Sequence, residues 1–162
     1  MQDFVHLHVH TQYSLLDGQA SVARLVDKAM KNGMKGIAVT DHGNMFGIKE
    51  FTNYVNKKNS GPKGEVKDLK KRIAGIEAGT IECEDKEAEI AACKAKIVEA
   101  ENKLFKPIIG CEMYVARRTM DLKEGKPDQS GYHLIVLAKN ETGYHNLIKL
   151  VSHAWTRGYY MR

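Results

Sequence analysis

The N-terminal third of the chain alternates between two hydrophobic periods, one typical of β-strands and the other typical of α-helices. Residues 4–9 alternate polar and apolar side chains, which predicts a strand. Residues 22–30 space their apolar side chains three and four positions apart, which predicts a helix that Ser21 is placed to cap. The apolar run at 36–40 predicts a buried strand, and residues 46–55 predict a second helix.

The same alternation returns near the end of the chain. Residues 108–116 and 132–138 predict two more strands, and residues 141–155 predict a last helix. Strands that alternate with helices are typical of the α/β class, in which a parallel sheet is either doubly wound or closed as a barrel. Four strands suffice for a small open sheet, or for half of such a barrel. In both architectures the chemistry gathers at the carboxyl ends of the strands.

Residues 57–106 differ in composition from the segments on either side, because 22 of these 50 residues are charged. Sparse apolar positions recur three and four residues apart in each half, as in a coiled-coil seam. The nine seam residues form two sets: Val66, Leu69, Ile73 and Ile76, and then Ile90, Cys93, Ile97, Ala100 and Leu104. Gly79 and the acidic residues 82–85 separate the halves, while breakers at 59–62 and Pro107 bound the segment. We therefore predict an inserted antiparallel helical hairpin over 57–106, either a solvated spacer or a docking arm for protein or nucleic acid.

The composition is that of one ordinary globular domain. Of 162 residues, 43% are hydrophobic and 28% are charged, which excludes a disordered tail. Because no apolar run reaches the roughly 20 residues of a membrane helix, and the first residues do not resemble a signal peptide, we expect a cytoplasmic protein with no membrane partner. The net charge of +5 suits a polyanionic partner but is a weak signal over this length. Cys83, Cys93 and Cys111 form no CxxC pair, so we expect reduced structural thiols.

The histidines carry more information than the overall charge. In the predicted first strand, a period of two places His6, His8 and His10 on one face. Each imidazole would need its own interior hydrogen-bond partner, whereas one divalent metal ion satisfies several at once. We therefore predict that His8 and His10 bind metal, the alternative being hydrogen-bonded core histidines. His6 lies deepest in the strand and can equally be a group that orients a ligand.

Further candidates stand where the predicted strands end. Asp41 and His42 follow the buried strand, and Asp17 lies in the loop after the histidine strand. Glu112 lies within the next strand and His133 opens the one after it. Singly, each has a structural explanation as a turn, a helix cap or a buried polar residue, but their joint placement favours a shared site. Histidine and carboxylate ligands without thiolates suit Zn, Mn or Fe, and this number of residues allows more than one ion.

Four stretches of the chain resemble a known family. HLHVHTQYSLLDG, AVTDHGNMFG, PIIGCEMYV and YHLIVLAKNETGYHNLIKLVS are similar to the PHP (polymerase and histidinol phosphatase) domain at the N-terminus of bacterial DNA polymerase III alpha subunits. The combination of HxHT with TDHG is typical of PHP domains in general. The strings YSLLDG, TDHGNMFG and AKNETGYHNLIKLVS are narrower and point to the polymerase branch. The resemblance covers the chain except for residues 57–106.

The resemblance implies a fold and a set of metal ligands. The family fold is a distorted (β/α)7 barrel that holds up to three divalent ions, for which we expect Zn or Mn first. The implied ligands are His8, His10, Asp17, His42, Glu112 and His133. His6 stands where many members have Asp and is not carried over. Later strands of the family, with an Asp-x-His pair, have no counterpart here, so residues 1–162 are expected to be an incomplete barrel that holds fewer ions.

The resemblance also implies a function. We expect the N-terminal PHP part of a DNA-directed DNA polymerase, a nucleotidyltransferase of DNA replication, with a PHP site resembling a metal-dependent phosphoesterase or 3′-5′ exonuclease. Metal-bound water is the expected nucleophile, so no catalytic side chain is assigned, and the isolated chain is expected to be inactive. The alternatives are a stand-alone phosphatase of a small phosphoester and a non-catalytic scaffold that docks a proofreading nuclease. The implied partners are DNA, through the parent polymerase, and other replisome subunits, with a dimer through the open barrel edge.

Overall fold

A computed structural model describes residues 4–160 of the chain, so residues 1–3 and 161–162 of the predicted domain lie outside the described residues. The chain divides into two compact units. The sheet unit comprises the residues up to Tyr54 together with those from Lys106 onward, and the helical unit comprises Val55–Phe105. The regular elements are α1 (Val22–Lys31), β1 (Gly36–Val39), α2 (Ile48–Lys58), α3 (Ser60–Glu77), α4 (Lys86–Asn102), β2 (Lys106–Val115), β3 (Tyr132–Leu137) and α5 (Glu141–His153).

The core of the sheet unit forms where the hydrophobic pattern predicted it. The Ser21 hydroxyl caps α1 by accepting from the Arg24 backbone N–H, and α1 buries Val22 and Val26. All four residues of β1 are buried, as expected for the apolar run at 36–40. Phe51 of α2 adds a fully buried aromatic ring. This core fixes the end of β1, which Asp41 and His42 follow.

The sheet is mixed rather than parallel. Its strand order is β1-β2-β3, with β1 parallel to β2 in the register Gly36↔Lys106 to Val39↔Ile109. Contrary to the prediction, β3 is antiparallel to β2, with Gly110 opposite Leu137. A parallel return usually needs a crossover helix. The connection at 116–131 contains just a three-residue 3₁₀ turn, so the chain folds directly back along β2.

The predicted histidine strand is not a regular strand, although it runs beside β1. Backbone bonds link the Ala38 N–H to the His6 carbonyl and the Thr40 N–H to the Val9 carbonyl, both at 2.9 Å. The side chain of Thr40 interrupts this backbone pairing at Val9, because the Val9 N–H donates to Thr40 Oγ1 instead of to a backbone carbonyl. The described residues therefore form three strands where four were predicted.

Two helices, α3 and α4, make up most of the helical unit. All nine predicted seam residues are buried or half-buried, with Ile76 and Ala100 fully so. Gly79, in a left-handed conformation with φ of 72°, follows the end of α3, and Asp85 caps α4 by accepting from the Ala88 N–H. The pattern of apolar positions thus predicted where these helices bury their side chains. The status of 57–106 as an insertion stays a prediction.

The predicted chain breakers act differently from expectation. Pro62 lies in the first turn of α3, where a missing N–H breaks no helical bond. Asn59 is buried and pairs with the backbone of Phe105, donating to its carbonyl at 2.8 Å and accepting from its N–H at 2.9 Å. Pro107 lies inside β2, at the end where β2 pairs with β1, since the β3 register begins at Gly110.

Within the described residues, each helix is too short or too polar to cross a bilayer.

Candidate metal site

The structure brings all six candidate ligands together at one end of the sheet unit. His8 and His10 come from the segment beside β1, Asp17 comes from the loop before α1, and His42 directly follows β1, while Glu112 and His133 project from β2 and β3. Their donor atoms form three overlapping groups in which all atoms lie within 4.8 Å of one another. The groups are His8 with His10 and Glu112, His10 with Asp17 and His42, and His42 with Glu112 and His133.

Glu112 is the centre of this cluster. Its Oε2 lies 2.6 Å from His10 Nε2 and 3.2 Å from both His8 Nε2 and His42 Nδ1. Its Oε1 lies 2.9 Å from His133 Nδ1. The residue is 6% exposed, so the carboxylate is removed from bulk water and faces four imidazoles. Such a carboxylate can serve two ligand groups at once, one through each oxygen.

The electrostatics keep Glu112 ionised. Burial by itself raises the pKa of a carboxyl group, but the hydrogen bonds of His8 and His10 and the charge of His42 outweigh burial and hold the pKa of Glu112 below its ordinary value. Metal ligation needs the deprotonated carboxylate. Glu112 is therefore in its ligating form at neutral pH.

Asp17 extends the cluster from a tight loop. Its Oδ2 lies 2.8 Å from His10 Nδ1 and 3.5 Å from His42 Nδ1. The loop places Leu16 in a left-handed conformation with φ of 70°, which is uncommon for a residue with a side chain and costs of order 1–3 kcal/mol. A Cβ at Gly18 would lie 1.8 Å from the Thr11 carbonyl oxygen, so the close approach requires glycine there.

The distances between donor atoms fit metal ligation. Two donor atoms that share one ion at about 2.1 Å lie about 3.0–3.4 Å apart in octahedral or tetrahedral geometry. Of the six imidazole–carboxylate separations in this cluster, three are 3.2–3.5 Å and close to this range, and three are 2.6–2.9 Å, which are hydrogen-bond distances. Nitrogen and oxygen donors without thiolates suit Zn or Mn. The residues present therefore fit one or more divalent ions, with His10, His42 and Glu112 each shared between two groups.

Asp41 supports the cluster through buried hydrogen bonds. It is 1% exposed and accepts three hydrogen bonds, from the Thr11 N–H at 2.6 Å, the Thr11 hydroxyl at 2.8 Å and the Ser14 hydroxyl at 2.9 Å. The Ser14 oxygen in turn accepts from the His42 N–H at 2.9 Å. Asp41 therefore holds the loop after His10 against the end of β1, which orients His10 and His42.

Sequence reasoning did not assign this supporting role. Asp41 was a candidate or a helix cap, and Thr11 and Ser14 carried no prediction, although short polar residues directly after a histidine pair are a usable signal. His6 lies outside the three candidate groups and contacts the ring of Phe4 at a centroid distance of 4.7 Å. That His6 is not a ligand stays a prediction.

Gly43 connects the cluster to an adjoining cavity. Its N–H donates to the Glu112 carbonyl at 2.9 Å, and its own carbonyl accepts from Trp155 Nε1 at 2.8 Å. Its φ is 67°, and a Cβ there would lie 2.7 Å from the Tyr114 ring, so a side chain does not fit. A cavity of about 470 Å³ begins at this point, and His42 and His133 line it together with several aromatic side chains.

Comparisons with known proteins identify the family of this chain. The PHP domain family matches residues 6–162. The DNA polymerase III subunit alpha of Borreliella burgdorferi is 40% identical over 162 residues, and that of Treponema pallidum is 39% identical over 160 residues; each alignment covers 98% of this chain and 10% of the relative. The Aquifex aeolicus subunit is 32% identical over 167 residues, covering 99% of this chain and 10% of that protein. The chain therefore spans about a tenth of the length of these relatives, and it belongs to the PHP domain family.

Proposed function

We propose that this chain is the N-terminal PHP region of a replicative DNA polymerase III alpha subunit and that its histidine–carboxylate cluster binds divalent metal for phosphoester chemistry. The names of the relatives support the first part, since the aligned region covers nearly the whole chain. The observation that carries the second part is the convergence of four imidazoles on the buried carboxylate of Glu112. Polymerisation itself is proposed for the longer protein, of which this chain is one part.

The proposal includes the finer architecture. The three-stranded sheet would be part of a distorted (β/α)7 barrel, and residues 57–106 would be an inserted helical hairpin. The compactness of Val55–Phe105 as a separate unit supports the insertion. Among the described strands, β3 pairs on one side only and exposes Tyr132 and Leu134, which supports an open edge. A dimer through this edge is part of the proposal, and light scattering with a Leu134→Lys variant tests it.

The residues of the cluster would act by binding and orientation. When bound here, divalent ions supply Lewis acidity that acidifies water and offsets charge on the phosphoryl oxygens. His8, His10 and Asp17 would hold one side of the cluster, and His42 and His133 the side that faces the cavity. Asp41, through Thr11 and Ser14, would keep His10 and His42 in ligating orientations. A phosphoester that enters the cavity would meet the cluster at His42 and His133.

Hydrolysis of a DNA 3′ end is the reaction we propose for this site. The polymerase names of the relatives favour a DNA substrate over a small phosphoester such as histidinol phosphate. All six implied ligands are present and converge, which argues against a purely non-catalytic scaffold. DNA and other replisome subunits, a proofreading nuclease among them, are the partners that we propose for the longer protein in the cytoplasm.

Metal content is the first test of the proposed function. We expect the purified chain to bind Zn or Mn weakly and below full stoichiometry, and His8→Ala or His10→Ala to reduce the bound metal. His145→Ala is the matched control, because His145 is exposed on α5 outside the cluster. Equal metal content in wild type and His10→Ala would overturn the ligand assignment.

Activity is the second test. The substrates are a 3′-labelled primer and p-nitrophenyl phosphate, with Mn or Zn, and the 162-residue chain is compared with a longer protein that continues through the proposed barrel. We expect turnover by the longer protein alone, because several ions must be held in register for phosphoryl transfer. Equal turnover by both proteins, abolished by His42→Ala, would show that the residues present here already complete the site.

A further inference from the structure

Three exposed aromatic rings line the cavity beside the candidate metal site. We call Phe46, Trp155 and Tyr159 the aromatic wall; they are 65%, 50% and 54% exposed. The Trp155 and Tyr159 rings are nearly parallel, at 14° with centroids 5.9 Å apart, and the Phe46 ring lies 6.2 Å from Trp155. Large apolar rings grouped at a surface mark a binding site more often than scattered ones do.

The aromatic wall is tied directly to the metal cluster. Trp155 Nε1 donates to the Gly43 carbonyl, and the Gly43 N–H donates to the carbonyl of Glu112. His42, the residue before Gly43, lines the same cavity as the wall. Two consecutive residues therefore link the wall to the cluster, because His42 is a candidate ligand and Gly43 accepts the hydrogen bond of Trp155. The cavity that the wall lines therefore also reaches the cluster, at His42 and His133.

The loop at 116–131 also contributes residues to the cavity, among them Gln129 and Ser130. The loop at 116–131 is tied to the chain beyond α5 by three contacts. Asp121 accepts two hydrogen bonds from the Arg157 guanidinium, at 2.8 and 2.7 Å, and Lys123 Nζ donates to the Arg157 carbonyl at 2.9 Å. The Gly125 N–H donates to the Tyr160 hydroxyl oxygen at 3.1 Å. These contacts join the loop to the segment that carries Trp155 and Tyr159.

We propose that the aromatic wall stacks against the nucleobase of an unpaired DNA 3′-terminal nucleotide, whose phosphodiester then lies at His42 and His133. This inference rests on the proposed phosphoesterase function and names its substrate class. Flat aromatic side chains bind bases of any sequence, because every base has a π-face. The cavity, at about 470 Å³, falls within the range of roughly 300–1,000 Å³ typical of small-molecule sites.

The polar lining of the cavity agrees with a base as the occupant. Gln129 and Ser130 line the cavity together with the rings and carry amide and hydroxyl groups, which can donate to and accept from the edges of a base. A small aliphatic phosphoester offers no flat face to the wall and no edge to these groups. The wall would therefore select nucleotides against sugar phosphates.

The single tryptophan makes the proposal directly measurable. Trp155 is the only tryptophan in the sequence, so fluorescence excited at wavelengths that tyrosine does not absorb reports on the wall alone. The 162-residue chain is titrated with tetrathymidylate and, separately, with deoxyribose 5-phosphate. We expect saturable quenching by the oligonucleotide and none by the sugar phosphate.

Variants then locate the effect. Phe46→Ala keeps the fluorophore and should weaken oligonucleotide binding by roughly tenfold, within the range that base-stacking side chains contribute. Tyr132→Ala is the matched control, because Tyr132 is equally exposed but lies outside the cavity. If Phe46→Ala lowers the melting temperature, Phe46→Leu keeps the apolar volume without the aromatic face and should weaken binding similarly.

The outcomes separate this inference from the proposed function. Quenching that persists in His10→Ala while metal binding is lost supports base stacking on the aromatic wall. Normal metal binding with no base-dependent quenching overturns the proposal that the aromatic wall stacks against a base. It does not contradict the proposed metal site. Unchanged binding in Phe46→Ala and in Phe46→Leu, or equal binding of deoxyribose 5-phosphate, also overturns the proposal.

Discussion

The candidate metal site in the sheet unit and the surface of the helical unit are both rich in titratable side chains, yet their environments are opposite. Glu112 is buried and shares its two oxygens among four imidazoles. The ion pairs of the helical unit, such as Arg72–Glu89, lie at the surface and pair one to one. Exposed pairs contribute little because water and salt screen them. Convergence and burial, rather than the number of charges, therefore distinguish residues that serve a site from residues that are solvated.

Of the variants compared, Glu112→Gln should have the largest effect on metal binding. The amide keeps the shape of the side chain but removes the negative charge that faces His8, His10, His42 and His133. We expect the metal content of the purified chain to fall at least about tenfold, measured by mass spectrometry of bound metal. Glu101→Gln, which removes an exposed carboxylate from α4, should leave the metal content unchanged. Similar losses in the two variants would show that burial is not what sets Glu112 apart.

The Asp41→Ala variant should have the next largest effect. It leaves the Thr11 N–H and the hydroxyls of Thr11 and Ser14 without their buried acceptor, so we expect a loss of about 2–4 kcal/mol in the free energy of unfolding. Metal affinity should also fall, by about 10- to 100-fold. Urea unfolding of the metal-free chain measures the first effect and metal titration the second. Asp68→Ala, on the exposed side of α3, is the control and should change neither.

The difference between the two units also explains what the sequence could predict. Residues that act through local pattern were predicted well: α1 was expected at 22–30 and lies at Val22–Lys31, and the seam of α3 and α4 is buried as its spacing indicated. The six candidate ligands converge because His42 follows β1 while Glu112 and His133 lie on the neighbouring strands β2 and β3. The strand pattern and the motifs already suggested this.

What escaped prediction depends on long-range pairing. Nothing in the alternation of residues 4–9 reveals that the side chain of Thr40 replaces a backbone partner of Val9. The direction of β3 is not encoded in its own apolar pattern, since a strand of either direction alternates alike. It follows from the lack of a crossover helix in the preceding loop. The buried pairing of Asn59 with Phe105 likewise joins residues far apart in sequence.

Alkaline pH should lower the free energy of unfolding through the buried thiol of Cys111. Burial, and then the charge of Asp41, raise the pKa of Cys111 to about 12, whereas an unfolded thiol titrates near 8.5. Between these values the unfolded state has released a proton that the native state keeps, so the free energy of unfolding falls as pH rises. Cys111→Ala should flatten this slope in urea unfolding at about pH 8 and about pH 10. Cys83→Ala, at a half-buried position outside the sheet unit, should leave it in place.

Removal of the paired helices should have the smallest effect on the site. We expect a chain in which a short Gly/Ser linker replaces residues 60–104 to keep its metal content and to melt within a few degrees of wild type. The reason is that the buried side chains of α3 and α4, such as Ile76, Cys93 and Ile97, lie on helices that are lost together. Keeping Asn59 and Phe105 preserves their pairing at the base of the segment.

A second deletion tests whether α3 depends on α4 as its partner. Removing 86–102 alone leaves α3 without its partner helix and exposes Ile76, so this variant should aggregate where the complete replacement stays in solution. Differential scanning fluorimetry and sedimentation compare the two. If the complete replacement is insoluble as well, the helices are part of the core that supports the metal site, and the contrast between a functional unit and a solvated one fails. Solubility of both would show instead that α3 needs no partner.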